Sequence, residues 1–151
     1  IRREFNMMIG ERTAEELKIN IGTAYPPGKN ENNAMDIRGR DLVSGLPRSI
    51  SITSQQSFDA MQEPIEGVLS AVKEVLEKTP PELSSDIINK GIVMTGGGSL
   101  LNGLDVLISR ETSLPVYVAD DPFSCVALGT GKALNMIGSL PEATTIARQI
   151  V

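Results

Sequence analysis

Three consecutive glycines, Gly96 to Gly98, stand between the apolar run Ile92-Val93-Met94 and a stretch that opens on Ser99. That order predicts a buried strand, a tight turn and a helix. Ile92, Val93 and Met94 suit a strand covered on both faces. Glycine adopts positive φ and lets a ligand meet the backbone with no Cβ in the way. Ser99 can cap a helix over Leu100 to Glu111, whose free N–H groups and positive dipole end favour an anion. Together these predict a nucleotide phosphate or ribose contact at the carboxyl end of a strand. The same glycines also serve as a plain strand-to-helix turn, and the segment alone leaves both readings open.

A second strand is expected over Pro115 to Ala119, then a turn at Asp120-Asp121-Pro122 and a small-residue helix through Gly131 to Ile137. Strand, helix, strand, helix requires a parallel pair with a crossover. Two parallel strands are not a self-sufficient sheet, so further strands are expected from outside the chain.

The earlier part reads differently. Phe5, Met8 and Ile9 recur at helical spacing up to Gly10. Thr13-Ala14-Glu15-Glu16 has the pattern of a capping box opening a second helix, with Ala14, Leu17 and Ile21 as its apolar stripe. Thr23 to Asn33 is a Pro/Gly/Asn loop where insertions should be tolerated. Met35 and Ile37 alternate with Asp36 and Arg38, and Ile50 and Ile52 lie between polar neighbours, which predicts a small antiparallel sheet. Helical periodicity from Phe58 to Leu76 is strong, with Pro64 expected to divide it in two and Thr79-Pro80-Pro81 to end it. A short helical turn through Ile87 and Ile88 leads to Gly91. The expected fold class is α/β in two parts: an α+β lobe over 1–85 and a parallel α/β lobe over 86–151.

Composition removes several functions. The chain has no histidine, which excludes His-based acid–base catalysis, Ser-His-Asp triads and His metal sites. A net charge of −5, 3% aromatic residues and no Trp argue against a nucleic-acid surface. The single cysteine, Cys125, has no internal disulfide partner and reads as a structural residue in a reducing compartment. No apolar run reaches the length of a membrane span. The start, Ile1-Arg2-Arg3-Glu4-Phe5, has neither an initiator Met nor a signal pattern, so a chain cut from a longer protein is expected.

Remaining motifs each carry two readings. Glu15 and Lys18, three apart on a helix, are either a solvated ion pair worth about 0.2–0.5 kcal/mol or a ligand pair, with the carboxylate accepting from ribose hydroxyls and the lysine stem along a purine. Gly129-Thr130-Gly131-Lys132-Ala133 looks like a phosphate loop but has Ala133 where Ser or Thr should follow the lysine, and Val126 where the earlier glycine belongs. Asp120 and Asp121 read as helix caps, with a metal pair as the alternative. No third ligand is apparent nearby. Arg38, Arg40 and Arg48 form a charged face or an interaction surface.

Longer strings carry a resemblance. Gly10-Glu11-Arg12-Thr13-Ala14-Glu15-Glu16-Leu17-Lys18, Ile37-Arg38-Gly39-Arg40-Asp41-Leu42, Gln62-Glu63-Pro64-Ile65, Thr79-Pro80-Pro81-Glu82-Leu83, Met94-Thr95-Gly96-Gly97-Gly98-Ser99-Leu100-Leu101 and Asp121-Pro122-Phe123-Ser124-Cys125-Val126-Ala127 resemble, in order, the MreB/Mbl rod-shape-determining family. That family belongs to the actin/Hsp70/sugar-kinase superfamily. The resemblance covers residues from near 5 to about 137 and implies an actin-like ATPase fold, with 1–85 similar to subdomain IIB and 86–151 to the C-terminal part of subdomain IIA. It implies ATP or ADP as ligand, held by Glu15, Lys18, Gly96, Gly97, Gly98 and Ser99. Magnesium and the hydrolytic residues would belong to the N-terminal half, so no catalytic residue is expected in this chain and no ATP hydrolysis by it alone. Further implications are cytoplasmic filaments at the inner face of the cell membrane, built by self-association, and cell-wall synthesis machinery as partner, with no nucleic acid. A small-molecule kinase of the same fold and an interaction domain without nucleotide binding are the alternatives.

Overall fold

A computed structural model describes residues 1–28 and 32–136. The expected end of the last helix at Ile137 and the tail from Gly138 lie outside the described residues. The alternating segments form β2 (Ala34–Asp41) and β3 (Pro47–Thr53), an antiparallel pair in which Met35 faces Ile52 and Ile37 faces Ile50. On this sheet lies α2 (Glu11–Ile21), whose Leu17 and Ile21 join Met7, Ile37 and Ile52 in one buried cluster.

Met7 corrects the expected first helix. Helix α1 (Arg2–Phe5) stops at Asn6, which takes φ 49°, and β1 (Met7–Met8) then pairs with β2 through Met7↔Asp41 and Met8↔Arg40. The left-handed turn reverses the chain so that Met7 enters the core with 0% exposure. Gly39 on β2 has to be glycine, because a Cβ there would overlap the Met8 carbonyl oxygen.

The hairpin between β2 and β3 is held by one carboxylate. Asp41 Oδ1 accepts from the backbone N–H of Val43 and Ser44 at 2.9 and 2.8 Å, and Oδ2 accepts from Arg48 at 3.0 Å. Arg48 also donates to the Phe5 carbonyl at 3.3 Å, so it ties α1 to the hairpin, while Arg38 and Arg40 are exposed. The backbone donors, with Arg48 beside them, pull the Asp41 carboxyl from 3.8 down to about 2. A carboxyl with a lowered folded-state pKa stabilises the fold above its ordinary value and ceases to do so as pH falls through the folded one. Acid unfolding is therefore expected to show a loss between pH 3.8 and about 2 that Asp41→Asn removes. Equal slopes for the two proteins across that window would contradict it.

Helix α3 (Ser54–Lys78) is continuous through Pro64, contrary to the expected break. Proline removes the bond from its own nitrogen to the carbonyl of Ala60, and Ala60 and Pro64 are both exposed, so water can satisfy that carbonyl. The helix begins on a capping box: Thr53 Oγ1 accepts from Gln56 N at 3.3 Å, and Gln56 Oε1 accepts from Thr53 N at 2.9 Å. The box expected at Thr13 is not formed. Helix α2 starts earlier, at Glu11, with Gly10 as its N-cap, which leaves Thr13 inside the first turn.

After α3 come α4 (Pro81–Lys90), β4 (Ile92–Met94), α5 (Leu104–Thr112), β5 (Val116–Val118) and α6 (Cys125–Met136). Helix α4 is longer than the single turn expected and runs across position 85. Strands β4 and β5 pair in parallel, with Val93 opposite Tyr117. That side of the pair is open: Val93 is 62% and Tyr117 55% exposed. Across the molecule, Lys73 of α3 donates to Glu111 of α5 at 2.6 Å, a bond that holds the Glu111 carboxyl below its usual range. Arg110 donates to the Tyr25 hydroxyl at 2.7 Å.

Candidate functional site

Residues three and four apart on a helix share a face, so Glu15, Lys18 and Ile19 stand together on α2, opposite the buried Leu17 and Ile21. Ile19 is 70% exposed, a large apolar side chain on an otherwise polar face. Glu15 and Lys18 are exposed as well. They make no ion pair with each other among the described residues. The pair formed on this helix is Arg12 with Glu16 at 3.0 Å. Among the described residues the face thus offers an unpaired carboxylate, an unpaired ammonium and an apolar surface side by side.

The glycines follow β4 and differ in what each does. Gly96 takes φ +78°, and its N–H donates to the Pro122 carbonyl at 2.7 Å. A Cβ on Gly97 would press on the Phe123 ring at 2.8 Å. Gly98 has an ordinary φ and nothing within 4 Å of where a Cβ would stand. No described neighbour therefore requires glycine at 98, and its bare backbone faces open space, as does that of Gly96. Room of this kind is what a ligand approaching the main chain needs.

Ser99 corrects the expected cap. A short 3₁₀ turn covers Gly97–Leu100, and α5 begins only at Leu104, behind Gly103 with φ 73°. Ser99 is buried within the turn, where its Oγ donates to the Gly96 carbonyl at 2.7 Å. Its hydroxyl holds the shape of the glycine turn instead of capping a helix. The Asn102-Gly103 dipeptide was the visible signal for this interruption.

The two segments meet at a seam that local patterns do not reveal. The backbone N–H of Ala24 donates to the Asn102 carbonyl at 2.7 Å, and Thr23 and Asn102 form an isolated parallel bridge. The start of the expected tolerant loop is thus buried structure: Thr23 is 5% and Ala24 2% exposed. A cavity of about 450 Å³ lies at this seam, lined by Ile19, Asn20, Thr23, Asn102, Gly103 and Val106 among others. That is within the ordinary range of about 300–1,000 Å³ for small-molecule pockets. Glu15, Lys18 and the glycines do not line it. They flank the seam, the pair on the α2 side and the glycines on the other.

Two motifs lose their chemical readings. Gly129 to Ala133 lies inside α6, where backbone N–H groups are taken up by the helix, so it is no phosphate loop. Asp121 accepts from Ser124 N at 3.3 Å ahead of α6 and also receives the Cys125 thiol on its carbonyl at 3.2 Å. Among the described residues, no cluster of three or more Cys, Asp or Glu side chains could hold a metal.

Comparison with known proteins gives the family of the chain. The family described as MreB/Mbl protein matches residues 1–142. The cell shape-determining protein Mbl of Bacillus subtilis (strain 168) is 50% identical over 142 residues, 94% of this chain and 42% of that protein. The cell shape-determining protein MreB of Escherichia coli (strain K12) is 50% identical over 137 residues, 91% of this chain and 39% of that protein. The chain thus spans about two-fifths of the length of the relatives it matches. Among solved structures, MreB5 of Spiroplasma citri bound to AMPPNP superposes with a TM-score of 0.81 at 35% identity, over 99% of this chain and 42% of that one. The same protein bound to ADP gives 0.83 at 34% identity, over 96% and 43%.

Proposed function

Because the chain belongs to the MreB/Mbl family, with its actin-like α/β fold, we propose that it forms part of an adenine-nucleotide pocket in a filament-forming protein that sets bacterial cell shape. The observation that carries this reading is the unpaired Glu15–Lys18–Ile19 face, joined by a seam to a glycine turn with open backbone at Gly96 and Gly98. The solved MreB5 structures, one bound to AMPPNP and one to ADP, support a nucleotide as the ligand.

In this reading Glu15 accepts hydrogen bonds from the ribose hydroxyls. Lys18 lays its stem along the purine, and Ile19 adds apolar contact beside it. Gly96, Gly97 and Gly98 bring the main chain close to the nucleotide, with Ser99 holding their turn. Magnesium and the groups that hydrolyse ATP belong to residues outside this chain. Residues 1–85 and 86–151 act as the two lobes that frame the pocket, the first like subdomain IIB and the second like part of IIA.

Filaments of the whole protein would run at the inner face of the cell membrane and guide the cell-wall synthesis machinery. No described helix is long and apolar enough to cross a membrane. The β2–β3 hairpin, with exposed Leu42, Val43 and Leu46 at its tip and Arg38 and Arg40 on its flank, is the surface proposed for contact between subunits.

The test is ATP and ADP binding by the full-length protein carrying this chain, with filament pelleting on the same samples. Glu15→Ala/Lys18→Ala is expected to weaken both nucleotides by about tenfold or more, as loss of charge-assisted contacts implies, and to abolish ATP-supported pelleting. Unchanged affinity would end the nucleoside-contact reading. Tight ATP binding by the unmutated protein, without polymer and with phosphate transfer to a small molecule, would favour a kinase of this fold instead.

A further inference from the structure

We propose that Thr23 is a positioning residue for nucleoside recognition: its buried hydroxyl locks the end of α2 onto the segment after the glycine turn and so sets Glu15 and Lys18 against Gly96 to Gly98. This rests on the reading of Glu15 and Lys18 given above.

Thr23 is a polar side chain in the interior, 5% exposed. Its Oγ1 lies 2.8 Å from the Tyr25 carbonyl and 3.3 Å from that of Asn102, and it accepts from Tyr25 N at 3.3 Å. The one hydroxyl proton is shared between the nearer Tyr25 carbonyl and that of Asn102, which so meets two donors from the α2 side, this shared proton and the Ala24 N–H at 2.7 Å. A carbonyl has two lone pairs, so both can be served. Closely packed neighbours keep the seam narrow: a Cβ on Gly103 would lie 2.9 Å from Tyr25 Cβ.

Neither side of the seam has slack. On the α2 side, Gly22 N donates to the Lys18 carbonyl at 3.0 Å, and a Cβ at 22 would overlap that oxygen, so the helix runs directly into Thr23. On the other side, Leu101 N donates to the Gly98 carbonyl at 3.2 Å, and Ser99 binds the Gly96 carbonyl through both its N–H and its hydroxyl. Hydrogen bonds thus run in sequence from Lys18 through Gly22, Thr23, Asn102, Leu101, Gly98 and Ser99 to Gly96, interrupted only by covalent steps. Ligand contacts depend on placement to a fraction of an ångström. A buried hydroxyl at the midpoint of such a series acts on recognition without touching the ligand.

The readout that separates positioning from mere stability is discrimination between ATP and its deoxyribose analogue, because Glu15 reads the hydroxyl that the analogue lacks. In the full-length protein carrying this chain, Thr23→Val keeps the volume and deletes the donor. The preference for ATP is expected to fall toward parity and ATP affinity to drop up to about tenfold, while Thr23→Ser restores both. A lowered melting temperature with the preference intact would show a structural role only and overturn the proposal. Glu15→Ala is measured alongside. If it abolishes the preference and Thr23→Val does not, positioning fails while the nucleoside reading stands; if Glu15→Ala leaves the preference intact, both fall. Should Thr23→Val not fold, Thr23→Cys supplies a weak donor of similar size. A reduced preference is then expected, and an unchanged one overturns the proposal.

Discussion

Gly22→Ala is expected to destabilise the protein by about 3 kcal/mol, at the upper end of overpacking effects, and to take nucleotide affinity with it. The reason is steric and local. Gly22 has φ −68°, an ordinary value, so backbone strain is not the issue. A Cβ there meets the carbonyl oxygen of Lys18, which is already bonded to the Gly22 N–H. Relief requires the last turn of α2 to open, and that turn carries Lys18 and Ile19. Urea unfolding of the full-length protein reads the first effect and nucleotide titration the second. A midpoint equal to that of the unmutated protein would show that the turn can adjust freely, contrary to the packing described.

Ile37→Ala should cost about 2–5 kcal/mol, the range for truncating a buried isoleucine. Ile37 is 2% exposed, faces Ile50 across the hairpin and lies in the cluster with Met7, Leu17, Ile21 and Ile52. Natural domains hold about 5–15 kcal/mol in total, so this one substitution removes a large share. Ile19→Ala is the paired control: at 70% exposure it should change stability by no more than about 0.5 kcal/mol. If the two variants unfold at the same denaturant concentration, the core has been assigned to the wrong face of α2.

What could be read beforehand follows from how local each signal is. Period-two alternation at Met35, Ile37, Ile50 and Ile52 identifies β2 and β3 because one face of that sheet is buried and the other wet. The strand before Gly96 is likewise visible, as is the parallel pair it forms with β5, but not its exposure: Val93 lies open where a strand covered on both faces is expected. Met7 was hidden because a two-residue strand behind a left-handed Asn6 leaves no periodicity. Pro64 leaves α3 unbroken, since a proline on the solvent side of a long helix leaves its orphaned carbonyl to water. The box forms at Thr53–Gln56 and not at Thr13, where the same kind of pattern falls inside a turn already started by Gly10. Glu15, Lys18 and the glycines stand out as a proposed site through resemblance more than through pattern. Thr23 and Asn102 do not stand out, because partners 79 residues apart leave no mark on local spacing.

The uneven distribution of the interior has a consequence for how the molecule would come apart. The cluster of Met7, Leu17, Ile21, Ile37 and Ile52 closes wholly before α3, whereas β4 and β5 present Val93 and Tyr117 to solvent. Regions with few buried apolar contacts open at lower free energy than those with a closed interior. Amide protons around the glycine turn would therefore exchange sooner than those of the hairpin, within the same folded population. A nucleotide gripping both sides, as proposed above, would stabilise the folded state by mass action, the more so the further its concentration exceeds its dissociation constant. Its largest effect would fall on the looser side, so the ligand would serve as mortar for the part of the fold that the chain's own packing leaves weakest.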